Sequence, residues 1–330
     1  MQMGVGHFMR CLGLAQAWTK GKIVFIFARQ SRNALLEKRL RAEGMNFVYI
    51  HAQPATLDDA KKTADLVSKN AWLVIDGYHF KGTYQQALKD RLERLMCFDD
   101  HGHAHRYCAD LVLNQDICAS KSFYRNKLKK TKMLLGTKYI VLRKDFLKMR
   151  VLKRQIPDIV RKVLVVMGGS DSSNVTLKVI KGLMRTDTKN REVVIVIGPS
   201  NPHGAILKEA IKVKGKKFKL VRNVSNMPTL MAWADLCISA GGSTCWELAF
   251  MGLPTLMVIA NQTQVGSTER LHKAGIVKNL GRQSQVSVEQ ITQAVESISA
   301  NRNLRRRMSS KGQKLVDGQG VNRVLKAMTL

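Results

Sequence analysis

The chain has 330 residues, 45% hydrophobic and 24% charged, which excludes a disordered or fibrous protein and leaves room for two domains with their own cores. Its 55 Lys and Arg against 24 Asp and Glu give a formal charge of +31, a field that favours anionic partners such as nucleotides, phosphorylated sugars, nucleic acid or an anionic membrane face. The longest apolar runs are strand-sized, so no membrane-spanning helix is expected, and the opening MQMGVGHFMR has no apolar signal-peptide core.

Apolar strand-like runs alternate with amphipathic helical stretches almost from end to end. In the first half, strands are predicted at Lys22–Ala28, Phe47–His51, Trp72–Asp76, Leu95–Asp99 and Leu111–Asn114, with helices such as Ala34–Glu43 and Thr83–Arg94 between them. Leu134–Arg143 then leads into a basic stretch that ends near Ile156-Pro157, the expected interdomain linker. The alternation restarts with strands at Val163–Met167, Val193–Ile197, Lys219–Val221, Leu236–Ser239 and Thr255–Ile259. Helices follow at Val175–Met184, Gly204–Val213, Met227–Trp233 and Cys245–Met251, and three more close the chain around Val288–Ala300, Arg302–Val316 and Gln319–Met328. This pattern predicts an α/β protein: two Rossmann-like, doubly wound parallel-sheet domains, 1–155 and 156–330, facing a cleft.

The charge is uneven. Lys121–Arg154 holds thirteen basic residues and one acid, Asp145, and a second basic stretch runs through Lys208–Arg222. Neither is interleaved with regular aromatics, and only 6% of the chain is aromatic, so no nucleic-acid partner is expected. The excess reads as a solvated basic surface, open to peripheral contact with an anionic membrane. The six cysteines lack any C-x-x-C spacing and read as reduced thiols of a cytoplasmic protein.

Four constellations carry chemistry. In Gly4-Val5-Gly6-His7-Phe8-Met9-Arg10 the glycines let backbone approach a ligand, and a helix starts just after them. His7 would sit at its amino terminus, where the dipole disfavours imidazolium; it reads either as a general base or as a capping and packing residue. Met167-Gly168-Gly169-Ser170-Asp171, with Asn174 at the next helix start, is a strand–glycine turn–helix arrangement suited to phosphate, with Asp171 or Asn174 as the alternative helix cap. Ser239–Glu247 repeats it: Gly242, Ser243 and Thr244 offer donors to a pyrophosphate, and Glu247 offers a carboxylate to a ribose, or else Thr244 and Glu247 form a capping box. A diphosphate nucleotide accounts for both glycine turns without a metal or other cofactor. Asp99-Asp100-His101-Gly102-His103-Ala104-His105 has metal-ligand residue types, but alternate histidines on an extended segment point to opposite faces, so a loop is expected and no metal. Asp76-Gly77-Tyr78-His79 closes another strand in the same way, and Asn261-Gln262 follows the strand Thr255–Ile259.

The ordered set GVGHFMRCLGLAQAW, VIDGYHF, FDDHGHAHRYCADLVLNQ, LLGTKYIVLRKDF, VMGGSDSSN, NMPTLMAWADLCISAGGSTCWELAFMGLP, IANQTQ and LVDGQGVNRV resembles the PseG-type UDP-sugar hydrolases of pseudaminic acid biosynthesis. Those enzymes look like GT-B glycosyltransferases, MurG among them, but transfer the sugar of UDP-2,4-diacetamido-2,4,6-trideoxy-β-L-altropyranose to water. The resemblance implies that His7, beside Gly6 and Arg10, activates water, and that Asn174 and Glu247 hold the nucleotide-sugar with the Gly169-Ser170 and Gly242-Ser243-Thr244 turns. Tyr78, Asn261 and Gln262 would line the site. It further implies an inverting attack on the anomeric carbon and release of UDP. A monomer is expected; a GT-B glycosyltransferase is the alternative reading, and a non-catalytic basic protein that binds nucleic acid is the second. In that family a β-strand precedes the G-x-G-H loop, whereas this chain begins almost at the glycines. A central place in the parallel sheet is therefore expected to stand unfilled, its neighbours' edges unpaired and the loop under His7 thinly supported.

Overall fold

The computed structural model describes residues 5–150, 154–186, 191–224 and 226–329. The chain divides into two compact units, Met1–Lys144 with Gln319–Leu330, and Asp145–Gly318. The division falls at Lys144/Asp145 where 155/156 was expected, and the closing helix joins the first unit. The expected linker at Ile156-Pro157 lies inside the second unit, and 151–153 lie outside the described residues. Among the described residues no helix is long and apolar enough to cross a membrane.

Unit 1 runs α1 (Val5–Ala17), β1 (Val24–Ala28), α2 (Ala34–Ala42), β2 (Asn46–Ile50), α3 (Leu57–Asp65), β3 (Trp72–Asp76), α4 (Gly82–Lys89), β4 (Arg94–Phe98), β5 (Leu111–Asn114) and β6 (Lys132–Leu135). All its strands pair in parallel, but in two sheets: β1-β2, and β3-β4-β5-β6. Among the described residues β1 and β3 are therefore both sheet edges. Helix α1 touches both sheets, Phe8 packing on Phe25 and Phe27 of β1 (ring centroids 5.6 and 6.5 Å) while three polar side chains reach the end of β3. β4 is buried along Leu95–Phe98, whereas β1 is only half-covered. The short α5 (Lys144–Leu147) stands at the division between the units.

Unit 2 continues with β7 (Lys162–Val166), α6 (Val175–Arg185), β8 (Glu192–Ile197), α7 (Gly204–Ile211), β9 (Phe218–Arg222), α8 (Met227–Trp233), β10 (Leu236–Ala240), α9 (Thr244–Phe250), β11 (Thr255–Ile259), α10 (Val265–Lys273), β12 (Val277–Arg282), α11 (Val288–Ala300) and α12 (Arg302–Leu315). Its strands form one parallel sheet in the order β12-β11-β10-β7-β8-β9. β7, β10 and β11 are near-continuous apolar runs, as a strand covered on both faces requires, and their side chains feed one core with Val179, Ile180 and Leu183 of α6 and Ile291, Val295 and Ile298 of α11.

The last helix, α13 (Gly320–Thr329), is tied back to unit 1. Trp72 Nε1 donates to Met328 O (2.9 Å), Arg323 Nη1 donates to Lys138 O (2.8 Å), and a Cβ at Gly320 would meet Ile140 O at 2.0 Å. Strands β6 and β12 were not expected. β6 lies inside the charge run, and β12 is a half-exposed edge, VKNLGR, with a register shift against β11; neither shows a clean apolar signature.

Candidate functional site

Helix α1 starts at Val5, which places His7 in its first turn; Gly4 lies outside the described residues. His7, Arg10 and Cys11 share one face of the helix by their i, i+3, i+4 spacing. That face meets Asp76, the last residue of β3. His7 Nδ1 lies 2.7 Å from Asp76 Oδ1, Arg10 donates to both carboxylate oxygens (2.6 and 2.7 Å), and Cys11 Sγ donates to Oδ2 at 3.6 Å. Burial pushes the Asp76 pKa up, but the Arg10 charge and hydrogen bonds, then His7, overcome it and bring it down to about 2. An ionised carboxylate can only accept, so the contact with Asp76 asks for a proton on His7 Nδ1, while Arg10 Nη2, itself a donor, lies 3.2 Å from the same nitrogen.

Arg10 also reaches Asp100, at 2.7 Å to Oδ1 and 2.9 Å to Oδ2. Burial opposes its charge, yet the two aspartates outweigh burial and raise its pKa well above the ordinary value. Asp100 in turn accepts from the Tyr78 hydroxyl at 3.1 Å, and the Tyr78 ring stands edge-on to His7 with centroids 5.0 Å apart. Burial, then the Asp100 charge, pushes the Tyr78 pKa up, so its hydroxyl stays a neutral donor. His7 and Tyr78, two expected site residues, are thus brought together. Arg10 is buried and engaged by two carboxylates. Gly6 sits in the first turn of α1. Asp76 and Asp100 were read from the sequence only as strand-end residues; their position after apolar runs was the signal available.

The DHGHAH segment is a turn organised by Asp99. Its buried carboxylate accepts from the amides of His101 (2.8 Å), Gly102 (2.6 Å) and His103 (3.3 Å), and from the hydroxyls of Tyr107 (2.5 Å) and Tyr124 (3.1 Å). His103 Nδ1 approaches it to 2.5 Å. Burial works against the ionised form, but His103 and these donors hold the Asp99 pKa far below the usual carboxylate range. The Tyr78 ring is flanked by His101, tilted at 5.7 Å, and His103, edge-on at 5.6 Å. Among the described residues no three His, Cys, Asp or Glu side chains converge as metal ligands.

In unit 2 the strand order reverses between β7 and β10, the switch point at which doubly wound sheets bind ligands beyond their carboxyl ends. Ser239 pairs with Val166, so the turns at Gly168-Gly169 and Gly241-Gly242 emerge side by side there. Close approach fixes their glycines' neighbours: a Cβ at Gly198 would meet Gly169 O at 2.1 Å, and one at Gly241 would meet Thr268 Oγ1 at 2.3 Å. No atom lies within 4 Å of a Cβ built on Gly169. Asp171 caps α6, its carboxylate accepting from Val175 N (2.9 Å) and Thr176 N (3.0 Å). Asn174, left-handed at φ 52°, makes no cap bond, and its buried Oδ1 has no hydrogen-bond partner among the described residues. Of the two residues weighed as the cap, Asp171 takes the work and Asn174 is left with an unsatisfied acceptor.

Ser170 and Ser243 are exposed, and Thr244 and Glu247 are half-buried. Ser243 precedes α9 without a side-chain cap bond and Thr244 is the first helical residue, so a Thr244–Glu247 capping box is not formed. Asn261 and Gln262 are exposed beyond β11 and held locally: Thr263 Oγ1 donates to Asn261 Oδ1 (2.6 Å) and Arg282 Nη1 to Gln262 Oε1 (2.8 Å). Gln264, not singled out by the sequence, lies against the glycine turn, with its Nε2 3.8 Å from a Cβ built at Gly242.

Residues 163–321 match the family described as the glycosyltransferase family 28 C-terminal domain. The chain is 26% identical to the uncharacterized protein MJ1062 of Methanocaldococcus jannaschii, covering 80% of this chain and 54% of that one. It is 24% identical to the spore coat polysaccharide biosynthesis protein SpsG of Bacillus subtilis (98% of this chain, 93% of that one). It is also 24% identical to the pseudaminic acid cytidylyltransferase and UDP-2,4-diacetamido-2,4,6-trideoxy-beta-L-altropyranose hydrolase of Helicobacter pylori (78% and 45%). The chain thus spans about half the length of the archaeal and Helicobacter relatives. The Acinetobacter baumannii MurG structure superposes with a TM-score of 0.65 at 14% identity, over 98% of this chain and 96% of that one. The chain has the GT-B fold, two parallel-sheet α/β units as expected from its sequence.

Proposed function

We propose that the protein hydrolyses a UDP-activated 2,4-diacetamido-2,4,6-trideoxy sugar, with His7 as the general base. The observation that carries this reading is the His7–Asp76 pair: with its Nδ1 proton directed at an ionised carboxylate, the imidazole would present Nε2 as proton acceptor. Nε2 takes a proton from water as the water oxygen attacks the anomeric carbon from the face opposite UDP. The C1–O bond to the β-phosphate breaks, its electron pair leaves with UDP, and the free sugar has inverted configuration. Tyr78, held by Asp100 and edge-on to His7, positions the water or the sugar.

The nucleotide is assigned to unit 2. The amides of the two glycine turns and the amino termini of α6 and α9 receive the phosphates, Glu247 accepts from the ribose hydroxyls, and the unsatisfied Asn174 Oδ1 accepts from the ligand. The similarity to the Helicobacter relative, whose name includes this hydrolase activity, and to SpsG supports the choice of an amino-sugar nucleotide. Product analysis after incubation with UDP-sugars, with and without candidate acceptor sugars, tests it. UDP and free sugar released at the same rate without acceptor support the hydrolase; release that needs the acceptor makes the protein a transferase.

A further inference from the structure

Unit 2 holds a polar cavity at the amino-terminal end of its sheet and so away from the glycine turns. Its volume is about 610 Å³, and its lining includes Arg154, Asp235, Arg302, Arg306, Ser309 and Gln313. Asp235 immediately precedes β10, which fixes the end of the sheet concerned.

The charge around this cavity is poorly compensated. Arg154 donates Nε to Met251 O (2.8 Å), Nη1 to Ala234 O (2.6 Å) and Nη2 to Met231 O, all main-chain carbonyls. Fully buried Arg305 does the same with Ile298, Ser299, Pro157 and Asp158 carbonyls, and its Nε has no hydrogen-bond partner among the described residues. Burial holds the Arg154 pKa down to about 10, although Asp235 and Cys237 act to raise it. Of the carboxylates nearby, one is capped by main-chain amides and the other pairs with Arg302 itself, which leaves Arg306 without an ion-pair partner among the described residues. Asp235 Oδ2 accepts from the amides of Arg161 and Lys162 (both 2.9 Å), and exposed Asp158 pairs with Arg302 Nη1 at 2.6 Å. Helix α12 brings Arg302, Arg305, Arg306, Arg307, Lys311 and Lys314 with no acidic residue. A guanidinium taken from water without a counter-ion is unfavourable, and a fork of N–H donors matches phosphate oxygens.

We propose that this cavity binds a phosphate-bearing anion, held by Arg154, Arg302 and Arg306 with Ser309 and Gln313 as hydrogen-bond partners. Its volume suits a small organic phosphate. The site is distinct from the nucleotide site and does not depend on the reading given for it.

The test is calorimetric titration of pyrophosphate into the protein in saturating UDP, comparing two double variants of equal charge change. Arg302→Ala/Arg306→Ala should weaken binding at least tenfold, whereas Arg307→Ala/Lys314→Ala, on the same helix but outside the lining, should leave it within twofold. Arg306 has no hydrogen bond or ion pair among the described residues, so Arg306→Ala alone is a second variant that should fold normally and still weaken binding. Equal effects in the two double variants, or no binding in the wild type, overturn the proposal. A second arm uses phosphatidylglycerol against phosphatidylcholine vesicles. Phosphatidylglycerol binding lost in Arg302→Ala/Arg306→Ala identifies a lipid headgroup, and pyrophosphate binding without such a loss identifies a soluble phosphate.

Discussion

Asp76 and His7 are 69 residues apart in the chain and 2.7 Å apart in the fold, one at the end of a strand and the other in the first turn of a helix. Arg10 completes the arrangement by neutralising the carboxylate from the same helix face. Asp76→Asn should leave UDP affinity unchanged and lower turnover by about 10²–10⁴, because an amide presents a donor as well as an acceptor and no longer fixes the imidazole proton on Nδ1. Steady-state kinetics beside a UDP titration reads both. The variant should also lose about 3–5 kcal/mol of stability, since Arg10 keeps only Asp100; a urea midpoint measures this.

Acid should destabilise the wild type through the same carboxylate. Asp76 has a folded pKa of about 2 against an ordinary 3.8, so its contribution is complete above about pH 4 and is lost as pH falls toward 2. The amount is about 2 kcal/mol, at 1.36 kcal/mol per pKa unit. Urea midpoints at a series of acidic pH values should fall more steeply in the wild type than in Asp76→Asn.

Much of this arrangement was legible before folding. The alternation of apolar runs and amphipathic helices fixed two parallel-sheet units, because strands covered on both faces must be continuously apolar. The glycine turns were legible because their backbone asks for glycine: Gly168 has a φ of 90°, and a Cβ at Gly241 would meet Thr268 Oγ1 at 2.3 Å. The Asp76–His7–Arg10 cluster was not, since a strand-end aspartate looks the same whether it faces water or a helix. Basic β6 and half-exposed β12 were hidden by their polar residues. The competing cap readings at Asp171 and Asn174 also needed backbone angles, because either side chain could reach the first turn of α6.

Glu247→Ala should weaken UDP binding tenfold or more, the consequence of removing a charge-assisted acceptor worth about 1.5–3 kcal/mol. Titration calorimetry measures it. Unchanged affinity in a folded variant would remove Glu247 from the nucleotide site.

The two-stranded sheet β1-β2 should open more readily than β3-β4-β5-β6. Two strands alone are marginal in water, and β1 is half-covered where β4 is buried. Hydrogen exchange should show Phe25–Ala28 amides exchanging faster than those of Leu95–Phe98. Equal protection would mean that α1 alone secures the smaller sheet.

Incubation with a UDP-2,4-diacetamido sugar in ¹⁸O-labelled water, without acceptor, tests the central claim most directly. Attack at the anomeric carbon predicts ¹⁸O on the released sugar, none on UDP, inverted configuration at C1, and a turnover that falls by about 10²–10⁴ in His7→Asn with UDP affinity retained. Label on the phosphate, or undiminished turnover in His7→Asn, would contradict the account.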